Sequence, residues 1–132
     1  MIITLYLPWP QSVNHYYKQT RNGGHKYLPK IVHQYRESVC EAIHQQAGTL
    51  RINKPMRVNC ELYPPDLRKR DLDNYMKGLL DAVSYTGLWT DDVLIDQLNI
   101  YRGEKVKSGL VIMHIGNAGP VLPAPGQAKG LD

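Results

Sequence analysis

The hydrophobic positions follow two periods in turn. Ile2 to Leu7 alternates around β-branched and aromatic residues, which predicts a strand, and Pro8-Trp9-Pro10 stops it because proline cannot donate to a ladder. From Lys30 to Ala47 the spacing becomes helical. Val32, Tyr35, Val39, Ala42 and Ile43 form one apolar stripe, and Gly48 supplies the stop. Met56, Val58, Cys60 and Leu62 then alternate with Arg57, Asn59, Glu61 and Tyr63, a second strand that Pro64-Pro65-Asp66 ends. Met76, Leu79, Leu80 and Val83 return to the helical period. This helix should begin near Asp71 or Asp73, which suit an N-cap or first turn, and end at Gly87. Ile95 to Arg102 and Leu110 to Ile115 read as a β-hairpin joined across Gly103 to Gly109. The order predicts an α+β domain over residues 1–115: a mixed sheet of about four strands with two main helices on one face. Residues 116–132, where Gly, Pro and Ala fill ten of seventeen positions, should form a disordered tail.

Composition adds a direction. The 132 residues suit one domain with a small core. The net charge of +4 favours an anionic partner. Its distribution is uneven: residues 61–100 carry eight of the twelve acids, inside an otherwise basic chain. That segment reads either as a solvated acidic helix face or as a site. Cys40 and Cys60, the two cysteines, lack a metal-type spacing and sit in apolar patterns, so both are expected as buried free thiols. The histidines show no pair at a ligand spacing, and nucleotide-binding and nucleophile-elbow motifs are lacking. Met1 leads directly into a strand-like run and no apolar stretch approaches membrane length, so a cytoplasmic protein with no membrane partner is expected.

The chemistry concentrates in Arg68-Lys69-Arg70-Asp71-Leu72-Asp73-Asn74, followed by Lys77 and by Trp89-Thr90-Asp91-Asp92. Carboxylates repel each other and repel phosphate. Placed beside cations, they suit a site where Mg²⁺, with Mn²⁺ as a substitute, sits between acids and an anionic substrate. In extended backbone, Asp71 and Asp73 would point the same way and share a metal. A third carboxylate would come from Asp92, Asp91 or Asp81. Lys77 could contact the scissile phosphate or orient a water, and Arg68, Lys69 and Arg70 could hold flanking phosphates. Taken singly, these residues also read as caps, turn residues and helix-face pairs. Between Ser12 and Tyr27, Tyr16, Tyr17 and Tyr27 interleave with Lys18, Arg21 and Lys26 around an Asn22-Gly23-Gly24 turn. Such a mixture suits stacking on unpaired bases and contact with phosphate, or else an ordinary loop or short hairpin.

These pieces resemble the RusA family of Holliday junction resolvases. The resemblance runs through Leu7-Pro8-Trp9-Pro10, Ser12, Asn14 and Tyr16-Tyr17. It continues through Arg70-Asp71-Leu72-Asp73-Asn74, Lys77, Asp81-Ala82, Gly87, Trp89 and Asp91-Asp92, in the family's order. Gln11 and Val13 depart from the proline- and asparagine-rich opening of the family's first loop, and the spacing just after Asp92 differs slightly. The resemblance implies a RusA-like fold and a Mg²⁺-dependent homodimer that nicks four-way DNA junctions in two strands of like polarity. It also implies catalytic and metal-holding roles for Asp71, Asp73 and Asp92, and an essential Lys77. The readings from other classes are a non-catalytic DNA-binding protein and a related nuclease acting on other branched DNA. The strand from Leu110 to Ile115 is a candidate dimer surface.

Overall fold

The computed structural model describes residues 2–12, 18–19 and 26–127. In chain order the elements are β1 (Ile2–Leu7), a two-stranded hairpin of β2 (Lys18–Gln19) and β3 (Lys26–Tyr27), α1 (Lys30–Ala47), β4 (Met56–Tyr63), α2 (Met76–Thr86), β5 (Ile95–Arg102) and β6 (Leu110–Asn117). Four strands make one mixed sheet in the order β1-β6-β4-β5. β6 runs antiparallel to both β1 and β4, whereas β5 runs parallel to β4. Tyr16, Tyr17, Arg21 and the Asn22-Gly23-Gly24 turn lie outside the described residues.

The periodicities place the core where they predict. Met56, Val58, Cys60 and Leu62 of β4 are buried, as are Leu5 and Leu7 of β1 and Val111, Met113 and Ile115 of β6. Tyr35, Val39 and Ile43 of α1 and Met76, Leu79, Ala82 and Val83 of α2 complete the same cluster, and Val32 of α1 is buried as well. Tyr35 fastens α1 to the end of β1 by donating its hydroxyl hydrogen to the Pro8 carbonyl at 2.8 Å. Both helices end at glycines of positive φ, Gly48 at 60° and Gly87 at 81°. Among the described residues no helix is long and apolar enough to cross a membrane.

Two expectations are corrected. Cys40 is exposed, because it follows Val39 and stands about 100° round the helix from the buried stripe. Cys60 is buried as expected, and burial pushes its thiol up to about 12. The second correction concerns the last two strands, which do not pair with each other. β6 instead enters the sheet between β1 and β4, where both backbone edges find a ladder and alternate side chains reach the core. It also extends to Asn117, and it has no free edge to offer a second chain.

The connection between β5 and β6 therefore crosses the end of β4. Gly103 N–H donates to the Leu62 carbonyl at 2.8 Å, and Val106 N–H to the Pro64 carbonyl at 2.9 Å. Glycine is required at both ends of the crossing. A Cβ at Gly103 would lie 2.2 Å from Tyr63 Cδ1, and one at Gly109 would lie 2.6 Å from Trp9 Cβ, with φ at +74° besides.

The sheet face away from the helices carries a polar chain across three strands. Thr4 Oγ1 lies 3.0 Å from His114 Nδ1, and His114 Nε2 lies 2.5 Å from Glu61 Oε2. Tyr63 donates its hydroxyl hydrogen to Glu61 Oε1 at 2.5 Å. The Tyr63 and His114 hydrogen bonds hold the Glu61 carboxyl below its ordinary range. At the sheet's edge, the Gln46 side-chain amide bonds both the N–H and the carbonyl of Tyr6, each at 2.8 Å.

Gly109→Ala should destabilise the protein by about 2 kcal/mol or more, from left-handed backbone strain and collision with Trp9. The exposed Gly126, with nothing within 4 Å of a built Cβ, serves as control. Its alanine variant should stay within about 0.5 kcal/mol of the parent in urea unfolding. Equal midpoints for the two variants would contradict the packing described here.

Candidate active site

β4 ends at Tyr63, and the following loop is folded around one carboxylate. Asp66 Oδ1 accepts from Arg68 N–H at 3.1 Å, from Arg68 Nε at 3.2 Å and from Arg70 Nη2 at 2.7 Å. The Arg68 backbone and guanidinium, followed by Arg70, lower the Asp66 carboxyl from 3.8 to about 2. Arg70 also donates to the carbonyls of Asp66 and Arg68, at 3.1 and 3.3 Å. Its guanidinium carbon stands 5.9 Å from the centre of the Trp9 ring, and that ring packs at 5.0 Å against Tyr75. Arg70 is thus an internal brace with a side chain only 7% exposed. The expectation that it reaches outward to phosphate does not match its placement. Arg68 and Lys69 are exposed.

The loop delivers Asp71 in extended backbone, with φ −84° and ψ 130°, at the cap position of a 3₁₀ turn over Leu72–Tyr75. α2 then begins at Met76, later than either expected start. The Asp71 side chain makes no capping hydrogen bond, so its carboxylate is not spent on the helix end. Asp73 lies inside the turn. The strand alternation expected of this pair stops at Asp71, because the backbone turns into the 3₁₀ conformation from Leu72. Asp71 borders a cavity of about 650 Å³ with Arg68, Lys69, Asn74, Tyr75 and Arg102.

The second carboxylate pair occupies a different cavity. Trp89, buried among core residues, donates its indole N–H to Ser84 Oγ at 2.6 Å. Backbone bonds from Ile52 N–H to the Leu88 carbonyl and from Thr90 N–H to the Ile52 carbonyl tie the chain on either side of it. Trp89 thereby anchors the turn that carries Asp91 and Asp92. Asp91 caps the next 3₁₀ turn by accepting from Val93 N–H at 3.0 Å. Asp92 shares a cavity of about 410 Å³ with Asp91, Asp81 and Arg36. Burial comes first, then a hydrogen bond with Asp91 and the charges of Asp91 and Asp81. Together they push the Asp92 carboxyl above its ordinary value. Lys77 pairs with Asp81 at 3.2 Å, one turn further along α2.

Among the described residues, no three His, Cys, Asp or Glu side chains converge closely enough to hold a metal ion. Asp71 borders one cavity and Asp92 another. The donor chemistry nonetheless suits a hard divalent cation. Mg²⁺ takes oxygen ligands, keeps several waters and needs only one or two carboxylates besides substrate phosphate. Asp92 shares its cavity with Asp91 and Asp81, like charges that a cation beside them would offset. Lys18 and Lys26 fall on the short hairpin, whose backbone alone is described, and Arg21 lies outside the described residues. Sequence reasoning missed Arg102, which joins the cavity through strand pairing and carries no local signal.

An α+β domain presenting cations and hard oxygen donors at one sheet end has the make-up of a phosphodiester-cleaving protein. A family model described as endodeoxyribonuclease RusA matches residues 2–114. A crossover junction endodeoxyribonuclease of Escherichia coli K12 is 32% identical over 114 residues, covering 84% of this chain and 93% of its own. A protein of the same description from Enterobacteria phage 82 has the same identity and coverage. One from Enterobacteria phage HK97 is 36% identical over 103 residues, covering 78% of this chain and 84% of its own. The chain belongs to the RusA endodeoxyribonuclease family.

The depressed Asp66 pKa has a checkable consequence. Its contribution to stability is complete above the unfolded value near pH 3.9 and is lost only as pH falls through about 2. A carboxyl-carbon NMR titration should therefore place the Asp66 midpoint about 2. Arg68→Gln should raise that midpoint, and a parent value at 3.8 would remove the brace from this description.

Proposed function

We propose that the protein is a Mg²⁺-dependent, structure-selective endonuclease that resolves Holliday junctions by paired symmetric nicks, as a cytoplasmic homodimer in DNA recombination and repair. The observation that carries this reading is the family match across residues 2–114, which includes the basic loop, both acid groups and Lys77. Bound Mg²⁺ supplies charge neutralisation at phosphate and an activated water. Asp71, Asp73 and Asp92 are assigned to hold it, with Mn²⁺ as the substitute ion. Lys77 is assigned to the scissile phosphate or to orienting water, a role for which its pairing with Asp81 sets the position. Arg68 and Lys69, with Lys18, Arg21 and Lys26, are assigned to flanking phosphates. Arg70 serves them indirectly, by fixing the loop through Asp66. A four-way junction has approximate two-fold symmetry, and an isologous dimer would set one site on each of two opposed strands.

A second reading, a DNA-binding protein without cleavage, draws on one observation: Asp71 and Asp92 border different cavities. The two separate on a synthetic four-way junction assayed with Mg²⁺ and with EDTA. Under the endonuclease reading, Asp71→Asn and Asp92→Asn each lose cleavage by more than about a hundredfold while still binding the junction. Binding by the parent protein without any Mg²⁺-dependent product would select the second reading. A flap and a plain duplex in the same assay test the preference for four-way branches.

A further inference from the structure

Asp71 poses an electrostatic difficulty. A phosphodiester entering the cavity beside it meets a like charge, so a cation must face the same space. The loop has three, and two are engaged elsewhere. Arg70 is turned inward onto Asp66, and Arg68 makes a 3.2 Å ion pair with the same carboxylate. Lys69 is exposed, on a long flexible stem. The fourth cation around the cavity is Arg102, which comes from the sheet.

Arg102 is the last residue of β5, placed opposite Leu62 by the parallel ladder. The ladder continues one step beyond it, from Gly103 N–H to the Leu62 carbonyl at 2.8 Å. That close approach needs a glycine, because a Cβ at Gly103 would strike the Tyr63 ring. The Arg102 backbone is thereby fixed. Its side chain is exposed, yet Nη2 donates to the Arg70 carbonyl at 2.8 Å. That carbonyl belongs to the peptide leading into Asp71. A guanidinium carries five N–H donors in a planar fork, so one bond to Arg70 leaves donors for a further acceptor.

We propose that Arg102 is a DNA phosphate-contact residue of this site: it is anchored on the Arg70–Asp71 peptide and offers its remaining donors to a backbone phosphodiester entering beside Asp71. The proposal rests on the endonuclease reading for its substrate, but not on cleavage or on the metal. The guanidinium offsets the repulsion between the Asp71 carboxylate and phosphate. Because it bonds the peptide of the same aspartate, it also sets the distance between them. A lysine, as a point charge, could keep the attraction but not both bonds in one plane.

The test is binding of the full-length protein to a fluorescent four-way junction and to a linear duplex of equal length, in EDTA, from 50 to 200 mM salt. Arg102→Gln should weaken binding to the junction about tenfold and lower the slope of log affinity against log salt by about 1. Arg102→Lys should keep the parent slope, and with Mg²⁺ it should lower kcat while leaving KM near the parent value. Thermal unfolding shows whether each variant is folded, and a variant that unfolds is replaced by Arg102→Met under the same criteria. An Arg102→Gln slope and affinity equal to the parent overturn the proposal, even if the parent cleaves junctions normally. A changed slope in a parent that binds but never cleaves sustains the Arg102 assignment while the endonuclease reading falls. No binding of either DNA by the parent overturns both.

Discussion

The site hangs on the parallel pairing of β4 with β5. Parallel strands finish at the same edge of a sheet, so whatever follows one lies beside the end of the other. β4 is followed by the loop that carries Arg68 to Asp71, and β5 ends at Arg102. An antiparallel pairing would have sent Arg102 to the far edge. The parallel arrangement requires a long connection, which α2 provides. The same helix carries Lys77 and Asp81, which pair with each other. Binding at the carboxyl ends of parallel strands is a general habit of open sheets with helical connections. Here a single parallel pair brings the Asp71 loop and Arg102 to that end.

Charge is divided between holding and presenting. Asp66 is engaged by two arginines and the loop backbone, whereas Asp71 makes no capping bond. Arg70 does comparable work from the cationic side, closing on Asp66, on two carbonyls and beside Trp9. Residues of one chemical type thus have opposite tasks within a few positions. Asp91 and Asp92 divide in a similar way: one fastens a turn, and the other is crowded by like charge. Burial first, and then this crowding, disfavour the ionised form of Asp92.

The periodic elements were readable from the chain because each reports on its own burial. β1, α1 and β4 stand where their patterns predict, and Gly48 and Gly87 end the helices. Strand pairing is not a local property. Two strands separated by a short connection look like a hairpin, and nothing in Leu110 to Ile115 announces that β1 and β4 will both claim it. Cys40 was misplaced by one position on a helix, where one position turns a side chain off the core. Within the site, the residue types were legible but the partners were not. Arg68-Lys69-Arg70 reads as one basic run, yet folding turns Arg70 inward because Asp66, four residues earlier, lies within its reach. Asp71 and Asp92 read as parts of one pattern, yet they line different cavities. Arg102 is invisible without the register that sets it opposite Leu62.

The grip of Gln46 on Tyr6 bears on how molecules of this kind meet one another. β1 is a border strand, and a border strand with unmet backbone groups is a template on which another chain can condense. One carboxamide, reaching over from α1, fills a donor and an acceptor there as a neighbouring strand would. A stranger arriving along β1 finds the position taken. In concentrated solution, growth of sheet upon sheet from that border is interrupted at Tyr6, and the guard is a neutral side chain that neither pH nor salt can discharge.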